Sequence, residues 1–182
     1  MKRKFSVTRT LLALVLVLPV QFVAAGEWST VVNGKAFHLG SERNWNEENY
    51  GLGLEYQFRS RTAWKFVLMG NGFRDSDKNM SYMAGGGLHR NLFSSHRFNG
   101  LYLDVGLNAF MMSRKDVDDG RPFPGALPSM TVGNRHMGLN LSYLPRAAVE
   151  EITTARTMDK TMRGIVFLQV KFNITNINGD AF

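Results

Sequence analysis

Apolar and polar positions alternate through most of the chain with a period of two. In Tyr50 to Phe58, YGLGLEYQF, residues Leu52, Leu54, Tyr56 and Phe58 interleave with Gly51, Gly53, Glu55 and Gln57, the pattern of a strand with one strongly apolar face. Ala63 to Phe73 carries Trp64, Phe66 and Leu68 on one parity, and Asn79 to His89 sets Tyr82, Ala84 and Leu88 against Met83, Gly85 and Gly87. Phe98 to Met112 is the cleanest case, with Leu101, Leu103, Val105 and Leu107 opposite Tyr102, Asp104, Gly106 and Asn108. Lys35 to Leu39, Arg121 to Gly133, Met137 to Leu144 and Arg163 to Asn173 complete a set of eight predicted strands.

The connections between them alternate in character. Ser41 to Asn49, Arg74 to Lys78, Ser113 to Gly120 and Ala147 to Lys160 are polar or charged, the last with room for a helical turn. Arg59 to Thr62, Asn91 to Arg97 and Asn134-Arg135 are short. Long loops at one end and tight turns at the other are the signature of a transmembrane β-barrel. Strands of about 10 residues suit a tilted crossing of the hydrocarbon layer, and closure satisfies every backbone group in lipid. A soluble sandwich or lipocalin-like barrel also alternates, but the apolar face here is monotonous, with Trp64, Tyr56, Phe58 and Tyr143 near strand ends where interfacial girdles lie. The expected fold is all-β, an eight-stranded antiparallel transmembrane β-barrel of the outer membrane. Thr175 to Ala181 breaks the alternation before a terminal aromatic, Phe182.

Composition adds the compartment. Met1 to Ala25 holds Lys2, Arg3, Lys4 and Arg9, an apolar run from Leu11 to Leu18 and the small-residue site Val23-Ala24-Ala25, which together read as a signal peptide. The apolar run is short of the roughly 20 residues a spanning helix needs. Cleavage would remove four of the 22 basic residues and none of the 15 acidic ones, leaving a charge near +3. The basic balance is therefore largely a targeting signal, and no nucleic-acid partner is expected. With no cysteine, disulfides and thiolate metal sites are excluded. Neither a metal nor a nucleotide motif appears, so no cofactor is expected. The remaining segment, 26–182, is expected to form one barrel domain and to act as a monomer.

Candidate chemistry gathers at one rim. The barrel topology sets His38 near the outer end of the first strand and Asp75-Ser76 on the outer connection between the third and fourth. A histidine can take a proton from a hydroxyl and return it to a leaving group, with a carboxylate to orient it. A serine can act as nucleophile or donate to a developing oxyanion. Polar residues crowd every barrel loop, so spacing alone leaves solvated turn residues as the alternative. His89, His96 and His136, toward the inner strand ends, read as structural or solvated.

The order of sparse motifs resembles the PagP family, the lipid A palmitoyltransferases of Gram-negative outer membranes. The similarity rests on Phe73-Arg74-Asp75-Ser76 followed by Ala84-Gly85-Gly86-Gly87, with Ala36-Phe37-His38, Asn49 to Leu54, Arg114-Lys115-Asp116, Pro124 to Gly133 and Leu141 to Pro145 in support. The resemblance implies His38, Asp75 and Ser76 as catalytic residues. It implies transfer of a palmitoyl chain from a phospholipid donor to a lipid A acceptor, with the active site facing the cell surface. Gly87 would be the floor of an acyl-chain ruler, with Gly85 and Met83 beside it, and Pro124, Pro128 and Pro145 are candidates for a lateral gate, since a proline breaks ladder bonds. Simple strand punctuation is the other reading of these prolines. Two departures stand out: Gly26 to Lys35 is too short for the amphipathic helix of the enteric form, and Asp77 occupies the aromatic position after Asp-Ser. The competing functions are a lipid A deacylase or esterase, which would use Ser-His chemistry with water as acceptor, and a non-catalytic structural or adhesive barrel.

Overall fold

The computed structural model describes residues 26–148 and 161–174; the signal-peptide segment, most of the 147–160 connection and the 175–182 tail lie outside them. Eight strands follow in chain order: β1 Gly26–Leu39, β2 Glu48–Phe58, β3 Trp64–Arg74, β4 Met80–Ser95, β5 Leu101–Ser113, β6 Phe123–Gly133, β7 Met137–Pro145 and β8 Gly164–Asn173. Each pairs antiparallel with the next, and β8 pairs with β1 to close the barrel. A rung followed from Phe123 through Met112, Met83, Asn71, Gly53, Val31, Lys171 and Gly138 returns to β6 at Gly133, ten residues further along. That stagger sets the tilt which closure demands.

Two strand boundaries differ from the sequence expectation. Asn33-Gly34 is not a turn before a short first strand. It is an irregularity inside a long one: the register with β2 shifts between Asn33 and Lys35, and that with β8 between Asn33 and Ala36. A bulge of this kind inserts a residue and resets the parity of everything after it. Gly26 to Lys35 is part of β1, running from its turn end. The β4–β5 turn also falls later than Asn91 to Arg97. It centres on Asn99 and Gly100, both with positive φ (54° and 74°), the geometry a tight hairpin requires.

The exterior is apolar all round. Leu52 (65% exposed) and Phe66 (60%) stand outward with Leu54, Leu68, Leu107 and Leu139. Trp28, Trp64 and Phe98 ring the end with short turns, while Tyr50, Tyr82 and Tyr143 ring the end with long loops. A soluble monomer does not present apolar surface on this scale, whereas lipid accommodates it with aromatic girdles at both interfaces. Tyr56 departs from the girdle expectation, being buried beside Trp28 with ring centroids 4.9 Å apart.

The interior divides along the axis. At the turn end the lumen is filled by charge pairs: Lys171 with Glu55, and Lys65 with Asp104 at 2.7 Å, the latter also accepting from Asn91 at 2.7 Å. Buried ions of this kind hold only because every partner is present. At the loop end the lumen turns apolar, with Ala36, Met162 and Ile165 buried and Leu144 and Phe167 packed on them.

Candidate active site

The β3–β4 turn is built by Asp75. Its side chain is almost wholly buried; Oδ1 accepts from the Asp77 and Asn79 amides (3.0 and 2.9 Å), and Oδ2 accepts from the Ser81 hydroxyl (2.7 Å). An aspartate that bonds its own backbone two residues on is the usual organiser of such a turn. The Arg114 Nε, from the β5–β6 loop, lies 3.9 Å from the same carboxylate. Asp75 is therefore occupied within its own turn, and no hydrogen bond to it from His38 is formed.

The 40–47 loop joins this turn to His38. The Trp45 ring stacks on the His38 imidazole, with centroids 5.0 Å apart and planes 11° from parallel. Its neighbour Asn46 donates its amide N–H to the Ser76 carbonyl (3.2 Å) and its side-chain N–H to the Asp75 carbonyl (3.0 Å). Consecutive residues thus grip the two halves of the expected constellation. The Arg43 guanidinium lies 4.0 Å from the Trp45 ring centre and 3.4 Å from the Asp77 carboxylate, which Arg114 also reaches at 3.2 Å. Asp77 is the meeting point of two cations. Burial, followed by the neighbouring Asp116 carboxylate, holds the Asp77 pKa above the ordinary aspartate value despite Arg114 and Arg43.

Beneath the rim lies a cavity of about 750 Å³. Asp75 and Ser76 line its mouth with Asn49 and Arg114, Met83 and Phe110 line its wall, and His38 sits beside the mouth without lining it. Two buried polar atoms here have no hydrogen-bond partner among the described residues: His38 Nδ1 and Asn49 Oδ1. Asn49, held by its amide on the Arg74 carbonyl at 2.8 Å, was not a sequence candidate. Its signals are a polar residue at the lumen parity beside a loop and its place at the head of the Asn49 to Leu54 motif.

Gly87 and Gly85 are not on the cavity wall. A Cβ at Gly87 would strike the Asn108 side chain and come within 2.9 Å of His89 Nε2 and of Val67; one at Gly85 would strike Ala109 and Phe110. The space spared at Gly87 is taken by a polar pair, His89 Nε2 and Asn108 Oδ1, 2.8 Å apart. Of the ruler residues expected, Met83 alone lines the cavity, and His89 and Asn108 line it where Gly87 was expected to. Among the prolines, Pro124 and Pro128 are exposed on the loop-end half of β6. There the ladder to β7 stops: β6 and β7 pair from Ser129↔Ser142 to Gly133↔Gly138, while Phe123 to Pro128 pair with β5 alone. Pro145 ends β7 and pairs with Gly164 of β8. The loop-end half of the β6–β7 seam is unlaced.

The model of the family described as antimicrobial peptide resistance and lipid A acylation protein PagP matches residues 29–153, which hold His38, the Asp75-Ser76 turn, the β6–β7 seam and the cavity wall apart from its β8 residues. The chain belongs to the PagP family. A curated relative, the lipid A acyltransferase PagP of Methylobacillus flagellatus, is 32% identical over 103 residues, 56% of this chain and 54% of that protein. The match thus spans about half of the relative's length. Solved structures with a loose likeness include neisserial surface protein A and the Yersinia pestis outer membrane protein Ail. Each has a TM-score of 0.40 and 13% identity over 81% of this chain, and covers 95% and 99% of its own chain respectively. In this PagP-family barrel Asp75 and Ser76 of the β3–β4 turn line the cavity directly, and His38 is tied to them through Trp45 and Asn46.

Proposed function

We propose that the protein is an outer-membrane acyltransferase that moves a fatty acyl chain from a phospholipid to a hydroxyl of lipid A. The loop end would face the cell surface. The observation that carries this reading is the joining of His38 to the Asp75-Ser76 turn over the mouth of a cavity whose flank is the unlaced β6–β7 seam. A barrel with unpaired strands in its upper half offers lipid a sideways entry, and the apolar upper lumen offers an acyl chain a place to rest.

In this mechanism the acyl chain enters through the seam beside Pro124 and Pro128, and its ester carbonyl comes to rest at the rim. His38 takes the proton from the lipid A hydroxyl, whose oxygen attacks the carbonyl carbon; the old acyl–oxygen bond breaks, and the lysophospholipid leaves with the proton returned by His38. Ser76 either donates to the developing oxyanion or carries the acyl group in passing. Asp75 acts by positioning: it fixes the turn that carries Ser76 and anchors Arg114. Asn49 Oδ1 is a buried acceptor at the mouth for a substrate hydroxyl. The palmitoyl donor implied by the family resemblance sets the class of substrate, a fatty acyl ester. The same residues with water as acceptor would give a deacylase.

The test uses the purified barrel in detergent with acyl-labelled phospholipid and lipid A. Label arriving on lipid A supports transfer, label released as free fatty acid moves the reading to hydrolysis, and no release from any donor by folded protein contradicts both.

A further inference from the structure

The two ends of the barrel differ in charge as well as in filling. At the loop end acids and bases interleave, as in the cluster of Arg43, Asp77, Arg114 and Asp116. At the turn end the inner charges cancel in the Lys171–Glu55 and Lys65–Asp104 pairs. What remains there, among the described residues, is a perimeter of exposed arginines, Arg59, Arg61, Arg90, Arg97 and Arg135, against one exposed acid, Glu27.

This perimeter lies at the depth of the aromatic girdle. Arg59 directly follows Phe58, Arg97 directly precedes Phe98, and Arg90 pairs in register with Trp64, its guanidinium 5.6 Å from the ring centre. Girdle aromatics sit at headgroup level, and an arginine can lay its stem on apolar surface while its charge stays at that level. Arg135 comes from the β6–β7 turn and lies across the β4–β5 turn, where a Cβ on Gly100 would fall 2.8 Å from its side chain.

The β4–β5 hairpin leaves a notch in the perimeter. β3 stops pairing with β4 at Trp64↔Arg90, whereas β4 and β5 run on together to Ser95↔Leu101. Beyond the Asn91 amide, which donates to the Ala63 carbonyl at 2.8 Å, that edge of β4 has no strand beside it among the described residues, and Leu92 and Phe93 stand half exposed. The β2–β3 turn with Arg59 and Arg61 borders the notch, and Arg90 lies at its base. Apolar side chains edged by cations at headgroup depth fit a lipid whose head is net negative. A zwitterionic head would bring its own cation against the arginines, and a soluble acidic partner would not account for Leu92, Phe93 and Phe98 (68% exposed).

We propose that the turn end is a binding site for anionic phospholipids, whose phosphates rest on Arg59, Arg61 and Arg90 around the notch and on Arg97 and Arg135 at the hairpin tip. Their acyl chains run along Leu92, Phe93 and the girdle. Arginine suits the task because its planar fork grips a phosphate through two parallel N–H donors. Each cation near an anionic surface strengthens attachment about fivefold, the equivalent of ~1 kcal/mol. None of the rim residues takes part, so this site stands or falls apart from acyl transfer.

The experiment refolds the chain into phosphatidylcholine vesicles containing a minor fraction of chain-brominated phosphatidylglycerol or, separately, of chain-brominated phosphatidylcholine. Bromine quenches nearby tryptophan, and Trp28 and Trp64 both stand at the turn end. The expected result is an enrichment of phosphatidylglycerol over phosphatidylcholine of about fivefold or more at low salt, shrinking as salt screens the charges. Arg61→Gln/Arg90→Gln should lower the enrichment severalfold, while Lys78→Gln/Lys115→Gln, the same charge change at the loop end, should keep it. Equal quenching by the two lipids in the wild type overturns the proposal, and binding of the folded barrel to cell-wall sacculi would then assign the arginines to an anionic glycan. Enrichment that survives the arginine changes, or is lost with the lysine ones, overturns it as well. The wild-type comparison needs no variant, so a variant that fails to fold leaves that test intact.

Discussion

The two halves of the lumen are built on opposite principles. At the turn end, charged side chains fill the bore and adjacent strands stay laced: Lys171 meets Glu55, Lys65 meets Asp104, and β6 and β7 pair from Ser129 to Gly133. At the loop end the bore is a cavity with apolar walls, and the same two strands part company. One half holds the barrel closed so that the other can afford to be open. The proposed sideways entry of lipid uses the half in which ladder bonds are given up, and the buried ion pairs lie in the other half.

That division can be broken from either side. His38→Ala should produce the largest effect, a loss of acyl transfer of roughly 10²- to 10⁴-fold expected for removing a general base, with the urea midpoint of the barrel nearly unchanged. Lys171→Ala should do the reverse. It strands Glu55 in the bore and should destabilise the barrel by about 3–5 kcal/mol, read in urea unfolding from detergent. The double change Lys171→Met/Glu55→Gln should recover much of that loss. A smaller effect is expected at the seam, where Pro128→Ala restores an N–H and should slow transfer severalfold while slightly raising the unfolding midpoint; faster transfer would argue that the seam is not an entrance.

The smallest effect concerns the rim cluster. The Asp77 carboxyl, raised on folding by burial and by Asp116, binds its proton more tightly folded than unfolded. The folded state is therefore favoured below the ordinary aspartate value, and this contribution is lost as pH rises through the raised one. Asp77 is exposed enough for solvent to damp the effect. Unfolding midpoints followed across the acid range should fall slightly with rising pH, and Asp77→Asn should remove that slope.

The barrel was legible because lipid outside imposes a strict period of two on every strand, and Leu52, Phe66 and Leu107 report it one residue at a time. The strand errors have local causes. Asn33-Gly34 looks like a hairpin turn but is a bulge within β1, while the same dipeptide at Asn99-Gly100 does make the β4–β5 turn, and only strand pairing tells the two apart. The rim residues were legible as types, since His38 and the Asp75-Ser76 turn lie at loop-end positions. Their connection was not, because it runs through Trp45 and Asn46, and a loop's path over a rim leaves no periodicity to read. Asn71, Asn108 and Gln169 each stand out as polar at lumen parity, but which side chains they meet inside the bore depends on the ten-residue stagger, which is a property of closure. Gly87 illustrates the same gap: a missing side chain reads as empty space, and here the neighbours' side chains fill it.

The most direct measurement is mass spectrometry of lipid A from a palmitoyltransferase-deficient Gram-negative host expressing this chain or its His38→Ala variant, with heat-modifiable gel migration confirming a folded barrel in each. The account predicts lipid A heavier by one acyl group in cells with the wild-type chain and unmodified lipid A in cells with the variant. An unchanged lipid A profile with the folded wild-type barrel, or the same acyl addition by both proteins, would contradict it.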